Sequence, residues 1–531
     1  MISVFANPSE LEKQAKEKYA IPPFLMMENA ARKMADFIIS RLSSFRDSSV
    51  LIICGKGNNG GDGYALARLL QGTLNVSIIC IEAPSAKEAT VQYEMCRRLG
   101  IKIHSLEKAK KLCKELSQDD FLIDCIYGTG FHGELSSEIK NLINTMNESK
   151  AKKLACDIPS ALEFCADYTI TMGSHKLQLF SDKAKNVCGE IIIANLGISN
   201  DKFQNPYNEV SDISGTQQSA TDIYLIEASD IKLPLRKRRA AHKGTYGHTS
   251  VLCGDKAGAA ILSATSAMLF GSGLTSIIDY FSENQQSEDN TDSDIFRVPL
   301  SQFKISPSLM ISDSIPKKTT CISAGSGFSQ YSKTAAKQII NWFDNYDSQA
   351  VVLDAGMLTS AETPEFLSRL NKFQNARILL TPHLGELAAL LKNVIAKNPE
   401  AAKQFSIKEN DFSVSELSNS PDKKILAGKF LTTLYPFTTI IMKSANTFIA
   451  VRDISNKYKI YIITDGTQSL AKGGSGDILA GMTAALLAQG YNAKDSAITA
   501  AEYHALLSQK IGAEAYNLSP EKLLAELELN M

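Results

Sequence analysis

Val50-Leu51-Ile52-Ile53-Cys54, followed at once by Gly55-Lys56-Gly57-Asn58-Asn59-Gly60-Gly61-Asp62-Gly63, decides the fold of the first half of this 531-residue chain. The apolar run reads as a buried strand. Five glycines and polar side chains then form a loop, and Tyr64-Ala65-Leu66-Ala67-Arg68-Leu69-Leu70 reads as a helix. Glycine lets backbone N–H groups crowd around an anion at a helix start, where the helix dipole also favours negative charge. Asn58, Asn59 and Asp62 add groups able to orient a sugar, an amide or a metal ion. The pattern is neither G-x-G-x-x-G with an acid on the next strand nor G-x-x-x-x-G-K-[ST]. The reading is a nucleotide site of another kind, against the plainer one of a tight strand-to-helix turn.

Outward from this stretch, a helix is expected around Met26-Met27-Glu28-Asn29-Ala30-Ala31. Strands are expected at Val50–Cys54, Asn75–Ile81, Phe121–Ile126, Lys153–Ile158, Tyr168–Met172 and Glu190–Ala194, with amphipathic segments such as Lys87–Leu99 and Glu138–Met146 between them. That alternation predicts a parallel sheet with helices on both faces. The polar stretch Ser211–Thr221 marks a domain boundary, giving domains 1–212 and 222–531. A second series follows, with strands at His248–Cys253, Thr320–Ala324, Ala350–Leu353, Arg377–Thr381, Thr439–Lys443 and Lys459–Ile463. Ser282–Asp294 is polar and acidic and reads as a mobile surface loop.

The length is too great for one core and fits two domains. A net charge of −1 gives no electrostatic reason to expect nucleic acid or an anionic membrane as partner. The cluster Arg236-Lys237-Arg238-Arg239 lacks interleaved aromatics and reads as a solvated linker face. Ten cysteines, none in a C-x-x-C pair and several inside apolar runs, read as reduced buried thiols and point to the cytoplasm. The N-terminus has no basic region followed by an apolar core, and no run approaches the ~18 apolar residues of a membrane span.

Ligands of open parallel sheets bind at the carboxyl ends of the strands. Three such ends are polar here: the opening loop, Asp124-Cys125-Ile126-Tyr127-Gly128-Thr129-Gly130-Phe131-His132-Gly133-Glu134, and Asp157-Ile158-Pro159-Ser160. Asp62, Asp124 and Asp157 are expected to converge there as acid–base groups, ribose ligands or metal ligands, each alone being equally suited to a cap or turn. His132 reads as an exposed loop residue.

These motifs resemble the N-terminal module of the NAD(P)H-hydrate repair enzymes, over roughly residues 1–210. The resemblance implies a Rossmann-like three-layer α/β/α sandwich that epimerises NADHX and NADPHX, the forms hydrated on the nicotinamide ring. By that resemblance Asn58, Asn59, Gly60, Gly61 and Asp62, then Gly128, Thr129, Gly130, Phe131, His132, Gly133 and Glu134, and Asp157 hold the hydrated dinucleotide. Asn59, Asp124 and Ser160 hold K⁺, and Asp157 is the acid–base group. The family continues D-I-P-S-G-L, whereas this chain has Ala161 in place of the glycine and a shorter segment before Tyr168. If that position needs a positive φ, alanine strains it.

In the second half the sharpest feature is Gly473-Gly474-Ser475-Gly476-Asp477, leading into the apolar Ile478-Leu479-Ala480-Gly481-Met482-Thr483-Ala484-Ala485-Leu486-Leu487. A helix apolar nearly all round is buried, and its unpaired first-turn N–H groups suit phosphoryl oxygens. Asp477 sits where it can take a proton from an attacking hydroxyl, its plainer role being a helix cap. This pattern, with Thr381-Pro382-His383-Leu384-Gly385-Glu386, His242-Lys243-Gly244 and Gly258-Ala259-Ala260-Ile261-Leu262, resembles the NAD(P)HX dehydratase branch of the ribokinase-like superfamily over about residues 230–530. The resemblance implies a ribokinase-like α/β domain. Ala259, Gly327, His383 and Asp477 then contact the hydrated dinucleotide, while Lys443, Ser444, Ala445, Asn446, Thr447 and Gly476 hold ADP, with Mg²⁺ on its phosphates. Two departures stand out: Lys443-Ser444 for the family's lysine-glycine, and Gly325-Ser326-Gly327 for its glycine-proline-glycine. His383 reads alternatively as a buried structural histidine.

The chain is therefore expected to be α/β in two domains and bifunctional. It epimerises R and S NAD(P)HX and dehydrates the S form at the expense of ADP, as a cytoplasmic homo-oligomer with small-molecule partners only. Two other readings are a kinase for a thiazole- or pyridoxine-like alcohol, and a non-catalytic binding module in the first domain.

Overall fold

Strand runs rich in Val and Ile alternate with helices throughout, and side-chain alternation along those strands sets the layers. A computed structural model describes residues 1–42, 48–131, 133–204, 221–279, 300–330, 332–347, 349–408, 410–453 and 455–529. His132, the Ser282–Asp294 segment and most of the Ser211–Thr221 boundary lie outside the described residues. Contacts divide the chain into two compact units, Ser3–Thr221 and Asp222–Met531, with Met1–Ile2 counted in the second.

The N-terminal unit carries β1 (Ile2–Phe5), β2 (Ser49–Cys54), β3 (Asn75–Cys80), β4 (Lys102–Ser105), β5 (Phe121–Cys125), β6 (Lys152–Cys156), β7 (Tyr168–Met172), β8 (His175–Lys176) and β9 (Glu190–Ala194). Its main sheet is parallel in the order β4-β3-β2-β5-β6-β7-β9. Along β2 and β5, Val50, Ile52, Cys54, Phe121 and Ile123 join one core with helices Pro23–Ser40 and Asn58–Leu70. The intervening Leu51, Ile53 and Leu122 join a second core with helix Ser137–Asn147. Two cores on opposite faces of one sheet make three layers. Strand order reverses between β2 and β5, so a crevice opens at their carboxyl ends. A separate short pairing sets Val4 and Phe5 of β1 against His175 and Lys176 of β8, in parallel.

The helix expected from Tyr64 starts at Asn58, so Asn58–Gly63 form its first turns and not a loop. The glycines serve close approach: a Cβ on Gly60 would lie 1.9 Å from the Gly55 carbonyl oxygen. Helix propensity alone argues against two adjacent glycines in a first turn, and packing overrides it.

The C-terminal unit adds β10 (Ile223–Leu225), β11 (His248–Leu252), β12 (Leu274–Ile278), β13 (Met310–Ser312), β14 (Cys321–Ala324), β15 (Ala350–Leu353), β16 (Arg377–Leu380), β17 (Thr438–Met442), β18 (Thr447–Arg452) and β19 (Tyr458–Ile463). The order is β13-β12-β11-β14-β15-β16-β17-β18-β19-β10, parallel except for β18, which is antiparallel to both neighbours. Helix Ser475–Ala488 is buried almost throughout and packs with helix Ala493–Ile511 on one face. Arg377 donates to the Leu487 and Tyr491 carbonyls at 2.9 and 2.8 Å, satisfying the end of that helix remote from Gly474. β10 and β13 escape the sequence reading because they are short, and β12 because polar residues interrupt it; β18 (Thr447–Arg452), with the apolar centre Phe448–Val451, is legible as a strand and is missed.

All ten cysteines are free, eight of them buried. No helix of the described residues is long and apolar enough to cross a membrane.

Candidate active sites

In the N-terminal unit the three polar strand ends fall on β2, β5 and β6, which are adjacent in the sheet. Asp124 is the penultimate residue of β5 and is wholly buried. Its Oδ1 accepts from the Ser160 hydroxyl at 2.7 Å and the Ile126 amide at 3.1 Å, and its Oδ2 from the Ser160 amide at 2.8 Å. Burial pushes this carboxyl up to about 6, against the pull of those donors. Asp157 follows β6 with φ +72°. Its Oδ1 accepts from the Met172 amide at 3.2 Å and pairs with the buried ammonium of Lys176. A Cβ on Gly128 would sit 3.1 Å from Asp157 Oδ2 and 3.4 Å from Asn59 Oδ1, so the loop after β5, the helix start and the loop after β6 meet at one point. The Asn59 Nδ2 is buried with no hydrogen-bond partner among the described residues.

Asp62 is half-buried and accepts from Cys156 Sγ at 3.9 Å. Burial, then the Asp157 and Glu12 carboxylates, push it well above the usual carboxylate range, with Lys176 and Cys156 acting in the other direction. Tyr127 and Phe131 stack at 4.4 Å. Beside them opens a cleft of about 560 Å³ lined by Gly128, Thr129, Phe131, Gly133, Glu134 and Ala161 among others. Asn58, Gly60, Gly61 and Gly130 lie on the same two segments. The expectation for the position after Ser160 holds: Ala161 has φ +53° and ψ +15°, a left-handed conformation that disfavours any residue with a Cβ.

In the C-terminal unit Gly474 caps helix Ser475–Ala488 with φ +92°, a left-handed conformation that suits glycine, and no side chain at the cap takes up the first-turn amides. The Lys443 ammonium lies over this turn, 3.2 Å from where a Cβ on Gly476 would stand. It donates to Asp354 Oδ1 at 3.0 Å, and Asp354 also accepts from the Thr381 hydroxyl at 2.8 Å. Burial lowers the Lys443 pKa, but Asp354, Glu386 and Asp477 raise it more. Asp477 is pushed up to about 6, first by burial and then by Asp354, with Ser326 and Lys443 in opposition. Gly327 has φ +77°, and a Cβ there would strike the Lys256 carbonyl at 2.3 Å and Ala259 Cβ at 3.0 Å, so Ala259 and Gly327 adjoin.

His383 is not a buried structural histidine; its side chain is 60% exposed. It caps helix Leu384–Lys397, its Nδ1 accepting from the Gly385 and Glu386 amides at 3.0 and 3.3 Å, while the Glu386 carboxylate accepts from its backbone amide at 2.9 Å. Lys443 N donates to the Pro382 carbonyl at 2.8 Å, so the His383 and Lys443 strand ends are side by side. Of the segment after β17, Ser444 accepts from the fully buried Lys424 at 2.6 Å and donates to the Asn446 carbonyl at 2.6 Å. Ala445 is exposed, and Asn446 is buried where Thr447 begins β18. The departure from glycine at position 444 thus brings a hydroxyl that a buried lysine uses.

Lys176, Asp354, Ser326, Glu386 and Lys424 were not assigned by sequence. A lone lysine or aspartate carries no signal until topology gives it a partner. Among the described residues no group of three or more His, Cys, Asp or Glu side chains is arranged to hold a metal ion.

The family model described as YjeF-related protein N-terminus matches residues 24–178, and that described as NAD(P)H-hydrate dehydratase matches residues 249–528. The bifunctional NAD(P)H-hydrate repair enzyme of Helicobacter pylori is 32% identical over 541 residues, covering 99% of this chain and all of the relative. The enzyme of that name from Escherichia coli K12 is 27% identical, covering 87% of this chain and 81% of the relative. A crystal structure of the ADP/ATP-dependent NAD(P)H-hydrate dehydratase from Bacillus subtilis aligns with 55% of this chain and 91% of its own, at 24% identity and a TM-score of 0.39. With both family models matched in order and a relative aligned end to end, the chain belongs to the bifunctional NAD(P)H-hydrate repair enzymes.

Proposed function

We propose that the N-terminal unit interconverts R and S NAD(P)HX, and that the C-terminal unit converts the S form and ADP to NAD(P)H, AMP and phosphate. The observation that carries the second step is the cluster of Lys443, Gly476 and Asp477 at the start of a buried helix. Hydroxide is a poor leaving group from C6. Asp477 takes the proton of the C6 hydroxyl as its oxygen attacks the terminal phosphorus of ADP, and AMP departs. Lys443 and the first-turn amides stabilise charge on the transferred group. The C6–O bond then breaks with the electron pair leaving on phosphate. The ring nitrogen lone pair forms the C=N bond, and a proton passes from C5 to the departing phosphate, which restores the dihydronicotinamide. Ala259, Gly327 and His383 hold the dinucleotide, and Ser444 to Thr447 hold the adenine nucleotide. Asp354, Glu386 and Asp477 outnumber the one ammonium between them, which suits Mg²⁺ carried in on the nucleotide phosphates, where it neutralises charge.

For epimerisation, Asp62 protonates the departing C6 hydroxyl, the ring nitrogen lone pair completes the C=N bond, and water leaves. Water then adds to the opposite face while Asp157 takes its proton. Transfer of that proton back to Asp62 resets the site. Asn58 to Asp62 and Gly128 to Glu134 hold the substrate, with Tyr127 and Phe131 as an aromatic platform. The groups acting on Asp124 are neutral amides and a hydroxyl, so this buried carboxylate has room for a counter-charge. An all-oxygen set from Asp124, Ser160 and Asn59 suits K⁺, which would supply that charge and fix the loop after β6.

The test is the near-ultraviolet absorbance of dihydronicotinamide in a mixture of R and S NADHX with ADP, Mg²⁺ and the full chain. Conversion of both epimers, faster than spontaneous epimerisation, is expected, with Asp477→Asn abolishing it. Recovery of the S form alone would remove the epimerase reading, and recovery of neither with ADP or ATP would remove both.

A further inference from the structure

Lys176 lies outside every motif discussed so far. It is 2% exposed, in a unit whose other lysines face solvent or its margin. Its ammonium has three N–H donors and three acceptors: Asp157 Oδ1, the Thr171 hydroxyl at 3.0 Å and the Met172 carbonyl at 3.2 Å. With every donor used inside the protein, this lysine has none left for a substrate. Its backbone is held by the pairing of β8 with β1, where Phe5 faces Lys176. Burying an ammonium is costly unless it is paired and fully hydrogen-bonded, and this one is both.

The effect falls on Asp157. Its backbone adopts φ +72°, a region that few residues other than glycine, asparagine and aspartate enter. One carboxylate oxygen is tied down by Lys176 and the Met172 amide. The other, Oδ2, has no donor among the described residues and points at Gly128. Around the pair stand Glu12 from helix Pro8–Tyr19, Asp62 from helix Asn58–Leu70 and Cys156 from β6, so among the described residues the one cation acting on these two further carboxylates is itself bonded to Asp157.

We propose that Lys176 is the positioning residue of the epimerase site: it ties down Asp157 Oδ1 and so turns Oδ2 into the cleft as proton acceptor, leaving Asp62, which no ammonium bonds among the described residues, as the proton donor. This rests on the reading of Asp157 given above. It sorts two neighbouring carboxyl groups into a base and an acid by giving one of them the ammonium.

The full chain separates the steps, because S-NADHX is dehydrated at once and the R form only as fast as it is epimerised. Lys176→Met is expected to leave the fast phase unchanged and slow the second by about 100-fold or more. The half-saturating R-NADHX concentration should stay within about threefold, and the shape of the slow-phase pH profile should change, because the ammonium beside the proton acceptor is gone. Lys176→Arg, and Lys176→Ala supplied with ethylammonium, should regain part of the lost rate; tetramethylammonium, which has no N–H donor, should not. A lysine needed only for folding would give a slow phase that neither variant nor amine restores, together with loss of the N-terminal unit's own unfolding transition, and that result overturns the proposal. Retention of the parent rate and pH profile by Lys176→Met overturns it equally. Asp157→Asn tells the two readings apart: if it keeps the slow phase, the role of Asp157 itself falls. If it loses that phase while Lys176→Met keeps it, only the role of Lys176 falls.

Discussion

The Lys443 ammonium and the Asp354 carboxylate are joined by a 3.0 Å hydrogen bond, which holds the ammonium directly over the Gly476 turn. Removing the charge with Lys443→Met should lower kcat for dehydration of S-NADHX by roughly 100-fold or more, the usual cost of losing a preorganised donor to a developing negative charge. Asp354→Asn keeps a hydrogen-bond acceptor but loses the ion pair, and a drop of about tenfold is expected. Steady-state rates on the purified S epimer measure both.

Gly128 bears on the other reaction. It has no positive φ, so alanine is conformationally acceptable there, but the added methyl would stand 3.1 Å from Asp157 Oδ2 and 3.4 Å from Asn59 Oδ1. Gly128→Ala should leave the melting temperature nearly unchanged while R-NADHX accumulates. Chromatographic separation of the two epimers during turnover reads this directly.

Asp477 makes a pH-dependent prediction of two signs. Its folded pKa is raised to about 6, so the neutral form is favoured in the fold and the stability this contributes is lost as pH rises through about 6. Asp477→Asn should therefore raise the melting temperature relative to the parent at about pH 8, with the gain vanishing by about pH 4, near the unfolded value. Activity moves the other way, because a base works only when ionised. The dehydration rate should fall as pH drops through about 6.

Ala161 occupies a left-handed conformation at φ +53°. Ala161→Gly should stabilise the N-terminal unit by about 0.5–1 kcal/mol, the relief of the Cβ clash less the extra entropy of glycine in the unfolded chain. Denaturant titration of the two variants gives the difference.

Which parts of this were legible in the sequence follows from the range of the forces involved. Val50–Cys54 and Ala350–Leu353 announce themselves because burial on both faces demands an unbroken apolar run. Lys102–Ser105 and Met310–Ser312 do not, since a strand beside few neighbours needs little apolar surface. The glycines of residues 55–63 are readable as glycines but not as helix, because what they permit is contact with Gly55, Met27 and Cys54, elsewhere in the chain or across the turn. The strain at Ala161 is readable from the motif it interrupts. The partners of the reactive groups are not: Lys176 lies 19 residues from Asp157 and Asp354 lies 89 from Lys443, and only sheet order brings them together.

The raised pKa of Asp477 also has a physiological reading. Hydration of a dihydronicotinamide begins with protonation of an enamine carbon, so acid speeds the damage, whereas Asp477, in the role proposed for it above, is progressively silenced by acid. Supply of the damaged cofactor and capacity to mend it thus run in opposite directions as pH falls.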